Sequence, residues 1–342
     1  MPTKINVNGK YPCCANWVVM KRTRDGVIAK NCLIDETIKL SDREARYLTR
    51  LNGNRNPYRM KGFSADECTS YFRFLKECML VREAGRSMHI DEMKLYTLII
   101  PNKTRTNSVI PRILNFLLCI LFLPVFAYGL YCIFAYENTW GMGDPTILNI
   151  LLGSIGGIFL GTILHESAHA FSCLSDKNGR VFEAGVMLNG MFLGAYVLID
   201  ESEIKSNTKR AQINLAGVEM NLLLAGALMI LATFGNFLRP WKVALLFAAL
   251  QNVFLVLMNL AFTEGLDGEH ALSSLFGGFV VDAAKANLSV LFDRQRRVDY
   301  FAVHGICGAA NICVSLVILV FQLIVPLVVV ADISIWIGAL FQ

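Results

Sequence analysis

The pattern of apolar positions along this chain changes near residue 110. Before it, hydrophobic residues alternate with charged ones at strand-like and helix-like spacings. From Ile113 onward, almost unbroken apolar stretches of about twenty residues or more recur. A stretch of that length, as a helix, crosses the roughly 30 Å hydrocarbon core of a bilayer. The stretches predict five spans, at about 113–136, 148–173, 211–235, 242–265 and 305–330. The last is long and contains Pro326, which leaves room for a sixth, partial span. The expected architecture is a small soluble domain over 1–100 followed by a polytopic α-helical membrane domain over 101–342.

Within the soluble part, WVVM and GVIAK are short β-prone runs around a polar turn. Ser41-Asp42-Arg43-Glu44 and Ser64-Ala65-Asp66-Glu67 each carry the capping-box signature of a helix start. In the second of these helices Cys68, Tyr71, Phe72, Leu75, Cys78 and Met79 share one apolar face. MHIDEMKLYTLII, over 88–100, reads as a further strand. Strands, two or three helices and then a strand predict a small α+β, winged-helix-like domain. Between the second and third spans, VFEAGVMLNGMFLGAYVLID (181–200) is too broken by Gly for a comfortable helix. Its Val, Phe, Tyr and Ile content predicts a β-hairpin turning around Asn189-Gly190. An exposed edge of that hairpin would take an extended peptide by strand addition.

Charge and cysteine content refine the compartment. The chain is 54% hydrophobic and 17% charged, against a soluble average of about 25% charged. Its first residues, MPTKINVNGKYPCC, lack the apolar core of a signal peptide, so export of the N-terminal domain is not expected. Ten cysteines are scattered without a CxxC pair, and Cys119, Cys132, Cys173 and Cys313 lie in apolar stretches, where thiols behave as small hydrophobes. Cys13 and Cys14 are expected to be reduced loop cysteines. If the N-terminal domain is cytoplasmic, the inner segments carry twelve Lys and Arg and the outer ones only Arg239 and Lys242. This bias predicts a multi-pass protein with a cytoplasmic N-terminus, and it accounts for the net charge of +5 without nucleic acid. The basic residues of the N-terminal domain alternate with acidic ones and form no stripe, so no nucleic-acid partner is expected.

Against this apolar background, GTILHESAHAFSC (161–173) carries His165, Glu166 and His169 near the inner end of the second span. Helical residues four apart share a face, so the two imidazoles can reach one metal ion, with Glu166 beside it. This is the H-E-x-x-H arrangement, in which the histidines hold zinc and the glutamate takes a proton from water activated by the metal. A catalytic zinc needs a third protein ligand. NLAFTEGLDGEH (259–270) reaches the same depth at the inner end of the fourth span, which makes Asp267 the candidate. Glu264 is an alternative ligand there, and His270, three residues after Asp267, would face the metal if this stretch is helical. His89 and His304 read as ordinary histidines. A metal-ion transporter would need ionisable residues along several spans, whereas these cluster at one end.

Three segments resemble the motifs of the site-2 protease family of intramembrane zinc metalloproteases. They are His165-Glu166-Ser167-Ala168-His169, then Ala216-Gly217-Val218-Glu219-Met220-Asn221, then Asn259 through Leu266-Asp267-Gly268, and together they cover roughly 145–275. Val218 stands where the family's second motif has proline, and Phe262, Glu264 and Gly265 stand where the third has its prolines. The resemblance implies one Zn2+ held by His165, His169 and Asp267, acid/base work by Glu166, and a polar role for Asn221 towards the substrate or the oxyanion. It implies cleavage, near the cytoplasmic face, of a membrane-associated or small precursor peptide. The layout of the N-terminal domain is similar to the leader-peptide-binding domains of enzymes that mature ribosomally made peptides, so the expected partners are such a peptide and the lipid bilayer. The alternative is a catalytically inactive, zinc-containing membrane regulator or peptide-binding protein, whose site would be closed by His270 or Glu264.

Overall fold

The computed structural model describes residues 10–15, 17–23, 26–31, 36–82, 92–100, 109–136, 146–189, 192–263, 265–276 and 280–340. They form two compact units, Met1–Asn107 with Lys177–Glu203, and Ser108–Asp176 with Ile204–Gln342.

The first unit runs β1 (Cys13–Cys14), β2 (Val18–Thr23), β3 (Gly26–Asn31), β4 (Glu36–Leu40), α1 (Asp42–Arg50), α2 (Ala65–Glu77), β5 (Val81–Arg82), β6 (Glu92–Ile99), β7 (Arg180–Asn189) and β8 (Phe192–Asp200). The sheets are antiparallel: β1 with β5, β2-β3-β4, and β6-β7-β8. Both predicted capping boxes are present, with the Ser41 and Ser64 side chains accepting from the Glu44 and Glu67 amides and each glutamate returning to the cap backbone. They satisfy amides that the first helical turn leaves without partners. Tyr47, Leu48, Leu51, Leu75 and Leu80 are fully buried in one core between these helices and the β2-β3-β4 sheet.

Three expectations change here. Met79 does not continue the apolar face of α2, because the helix ends at Glu77. Met79 sits at φ 52°, is 57% exposed, and lets the Leu80 amide reach back to Leu75 O at 2.9 Å. Cys13 and Cys14 are not loop residues but a short buried strand, and burial pushes their thiols up to about 11 and about 12. The strand expected within 88–100 exists as β6, but it joins the predicted hairpin rather than the N-terminal sheet. The hairpin strands pair from Arg180 with Asp200 to Asn189 with Phe192, and the turn residues 190–191 lie outside the described residues. Glu183 on β7 is fully buried and paired with Arg82 on β5. Removing one member of such a pair leaves an uncompensated buried charge, a loss of about 3–5 kcal/mol.

The second unit contains α3 (Val109–Ala135), α4 (Ile147–Leu174), α5 (Asn207–Phe234), α6 (Arg239–Leu260), α7 (Asp267–Phe276), α8 (Val280–Ser289), α9 (Arg294–Gln322) and α10 (Ile324–Leu340). Among the described residues five helical runs are long and apolar enough to cross a membrane: α3, α4, α5, α6 and the run Arg294–Ile335. The pair α7 and α8, bent by 82°, makes a sixth if it counts as one span. The fourth span is shorter than hydropathy suggests. The chain leaves α6 at Ala261 in an extended conformation, and Gly265 takes φ +86°, a left-handed value that favours glycine. Asp267 therefore opens α7 instead of closing α6.

Close helix contacts rest on glycine. A Cβ on Gly153 would lie 2.8 Å from Ala244 Cα, one on Gly157 2.6 Å from Ala248 Cα, and one on Gly161 2.5 Å from Asn252 Oδ1. Glycines spaced by four thus line the face of α4 that meets α6, the small-residue packing by which helices approach in lipid. Asn252, fully buried, spans this seam by donating to Ala248 O at 2.9 Å and Gly157 O at 3.3 Å. Gly156, one position away, has nothing within 4 Å of its Cβ position. Gly157→Ala is expected to lower the thermal stability of the detergent-solubilised protein by about 1–3 kcal/mol through overpacking, whereas Gly156→Ala is expected to leave it unchanged or slightly raised. Equal melting temperatures for the two variants would contradict this packing.

Candidate metal centre

His165 and His169 lie one turn apart on α4, each only 6% exposed, and the first turn of α7 brings Asp267 to them. Asp267 Oδ2 is 2.9 Å from His165 Nε2 and 3.3 Å from His169 Nε2, and the two imidazole nitrogens are 3.1 Å apart. Donors around a tetrahedral ion with bonds of about 2.0–2.1 Å lie about 3.3 Å apart, the edge of that tetrahedron. The three atoms therefore already form one face of a coordination polyhedron. Asp267 Oδ2 is buried and makes no aligned hydrogen bond despite these short approaches, as suits an acceptor facing a cation.

Groups behind the histidines set their direction. His169 Nδ1 is 2.7 Å from Ile213 O. A carbonyl only accepts, so Nδ1 carries a proton and Nε2 is the nitrogen that faces Asp267. Behind His165, the amide of fully buried Asn221 lies with Nδ2 3.1 Å from Nδ1, and Asn221 Oδ1 has no hydrogen-bond partner. Half a turn of that amide places Oδ1 to accept from Nδ1–H, which leaves Nε2 of His165 free to bind a metal. Asn221, expected to serve the substrate or the oxyanion, thus has its polar contact with the far side of the His165 ring.

Two glycines make the room. A Cβ on Gly217 would overlap the His165 ring, 2.6 Å from its Cδ2, so α5 meets α4 there through bare backbone. A Cβ on Gly268 would lie 2.7 Å from Leu260 O, so the residue after Asp267 must also be small for α7 to start beside the end of α6. The quoted motifs contain both glycines, but only the packing reveals their task. The Ile213 carbonyl has no side-chain signature.

The remaining candidates separate cleanly. Glu166 is partly buried and follows His165 by one position, about 100° round the helix, outside the converging trio. His270 is 56% exposed with Nδ1 3.6 Å from Glu269 Oε2, and it takes no part in the cluster. Glu264 and His89 lie outside the described residues, and His304 packs its ring on Tyr300 with centroids 4.6 Å apart. Among the described residues, His165, His169 and Asp267 form the one group of side chains placed to hold a metal ion, and no fourth His, Cys, Asp or Glu joins them. Comparison with protein families, curated proteins and solved structures returned no match.

If Gly217 keeps the ring in place, Gly217→Ala will displace His165 and remove most bound metal, as measured by elemental analysis after dialysis. Asn221→Leu, which leaves the ring without its outer partner, is expected to weaken metal affinity about 10–100-fold in a competition titration with a chromogenic chelator. Full metal retention by both variants would contradict the assignment.

Proposed function

We propose that this chain is an intramembrane zinc endopeptidase that hydrolyses a membrane-associated or small precursor peptide near the cytoplasmic face. The observation that carries the reading is the convergence of two imidazoles and one carboxylate, backed by hydrogen-bonding groups, inside a set of apolar helices. Two His and one carboxylate are a donor set of hydrolytic zinc enzymes, and three protein ligands leave a coordination position open. When bound, zinc lowers the pKa of water to about 7 and polarises a carbonyl oxygen.

The chain's own residues supply the rest. His165 and His169 would supply the imidazole donors, their rings oriented by Asn221 and Ile213 O. Asp267 contributes the negative charge that favours a divalent cation over water alone. The carboxylate of Glu166 takes the proton from the attacking water and returns it to the leaving amine nitrogen, general acid–base catalysis worth about 10²–10⁴ in rate. An extended substrate backbone is needed, because a helix hides the bond to be cut. β8 is an outer strand of its sheet among the described residues, the position at which an extended peptide adds to a sheet. The bias of Lys and Arg towards alternate connecting segments supports a cytoplasmic N-terminus, with the α+β N-terminal unit as a winged-helix-like recognition module for the peptide.

The rival, a non-catalytic zinc protein, requires a closed four-ligand site. The exposed His270 argues against closure by that residue. The test is cleavage of membrane-associated peptides by the purified protein, beside Glu166→Gln. Wild type is expected to cleave, chelator to abolish cleavage and added zinc to restore it. Glu166→Gln should retain zinc while losing about a hundredfold or more in rate. Equal cleavage by the two proteins would overturn the proposal.

A further inference from the structure

The N-terminal unit holds a second site. Arg43, Arg46 and Arg50 on α1, with Arg55, Arg59 and Lys61 on the segment that follows, line a cavity of about 750 Å3. We propose that this cavity binds an acidic stretch of a peptide. The cavity stands independently of the zinc site, and assigning its ligand to the peptide being cleaved rests on the endopeptidase reading.

The neighbouring acids are held in caps and ion pairs, and of them only Glu67 reaches a cation of the cavity, Arg43. Asp42 faces Arg22 at 3.5 Å, Glu44 Oε2 accepts from Ser41 N at 2.8 Å and its hydroxyl at 2.7 Å, and Glu67 pairs with Arg43 at 2.8 Å. Among the described residues no carboxylate pairs with Arg46, Arg50, Arg55, Arg59 or Lys61, and none lines the cavity. The wall is also held in place. Tyr47, fully buried, donates its hydroxyl to Pro57 O at 2.7 Å, and Arg50 donates to Lys61 O, so the 55–63 segment is tied to α1.

Five of the six cations are arginine, whose planar fork matches an oxyanion with two acceptor atoms. Their spread selects a ligand with several such groups. Arg46 and Arg50, neither of them in an ion pair among the described residues, share one face of α1 about 6 Å apart along its axis, at 1.5 Å per residue. An extended peptide places alternate side chains about 7 Å apart, so Asp or Glu at alternate positions matches that span. A single-stranded nucleic acid would also bring spaced anions, but it gains affinity from free aromatic faces. Phe63 is the one aromatic residue of the lining. The Arg43 and Arg50 guanidiniums lie over its ring, 5.7 and 5.6 Å from the centroid, and Tyr47 and Tyr71 pack edgewise at 5.4 and 6.1 Å.

The test uses full-length protein in detergent carrying Glu166→Gln, so that binding is read without hydrolysis. The probe is a fluorescein-labelled peptide of alternating glutamate and serine, compared by anisotropy with its glutamine counterpart. Oligothymidylate and short-chain phosphatidylglycerol serve as competitors. The acidic peptide is expected to bind at least about tenfold more tightly than the glutamine peptide, and less tightly as salt rises. Arg46→Glu combined with Arg59→Glu should weaken it by about tenfold or more and flatten the salt dependence. Arg46→Gln with Arg59→Gln should fall between, and Arg73→Glu, on the exposed side of α2, should change affinity less than about twofold. Circular dichroism establishes that each variant is folded. Binding by the pocket variants within about twofold of the parent, or tighter arginine-dependent binding of oligothymidylate or phosphatidylglycerol, would overturn the proposal. Failure here leaves the cleavage test untouched, and absence of cleavage leaves this binding test untouched.

Discussion

Helix α4 can present His165 and His169 to Asp267 only because its neighbours approach it at backbone distance. Gly153, Gly157 and Gly161 set α4 against α6, Gly217 removes any side chain from the part of α5 that faces the His165 ring, and Gly268 lets α7 begin beside the end of α6. In lipid, where apolar surface gains nothing by leaving one apolar neighbour for another, such contacts and interhelical hydrogen bonds supply the association energy. The same close packing that holds the helices together therefore places three donor atoms within 3.3 Å of one another.

Electrostatics explains why such a cluster calls for a cation. An acidic side chain costs about 2.5–3.5 kcal/mol at the centre of a span on insertion scales, an upper bound for Asp267 at the start of α7. Asp267 recovers part of that at the positive end of the α7 dipole, whose first turn also carries Glu269. The remainder calls for a positive partner, and the two imidazoles beside it could give a metal ion its other bonds. The N-terminal unit follows the reverse logic. There Glu44 is held on Ser41, Glu67 on Ser64 and Arg43, and Glu183 on Arg82, and among the described residues no carboxylate lines the α1 cavity.

What could be read in advance follows which interactions are local. His165 and His169 are legible because four-residue spacing on a helix is a local rule, and both capping boxes are legible for the same reason. The β7–β8 hairpin is legible from its residues, but its third strand is not, since β propensity carries no information about which distant strand pairs with which. Asp267 was reachable by counting depth, yet the helix it opens was hidden, because hydropathy runs on across the bend at Ala261 to Gly265. The 3.6-residue pattern likewise runs past Glu77 and carries Met79 into a face it does not share. The inward job of Asn221 depends on α5 crossing behind His165, and the basic cavity depends on the 55–63 segment folding back onto α1. Both are properties of tertiary structure.

Hydrolysis at this site requires a metal ion held by three protein groups with one position open. X-ray absorption spectroscopy of the zinc-loaded full-length protein addresses this directly. It should find two imidazole nitrogens, one carboxylate oxygen and one exchangeable solvent oxygen at about 2.0–2.1 Å, with the carboxylate contribution lost in Asp267→Ala. A first coordination sphere containing sulfur or four protein donors, or one unchanged in Asp267→Ala, would contradict it.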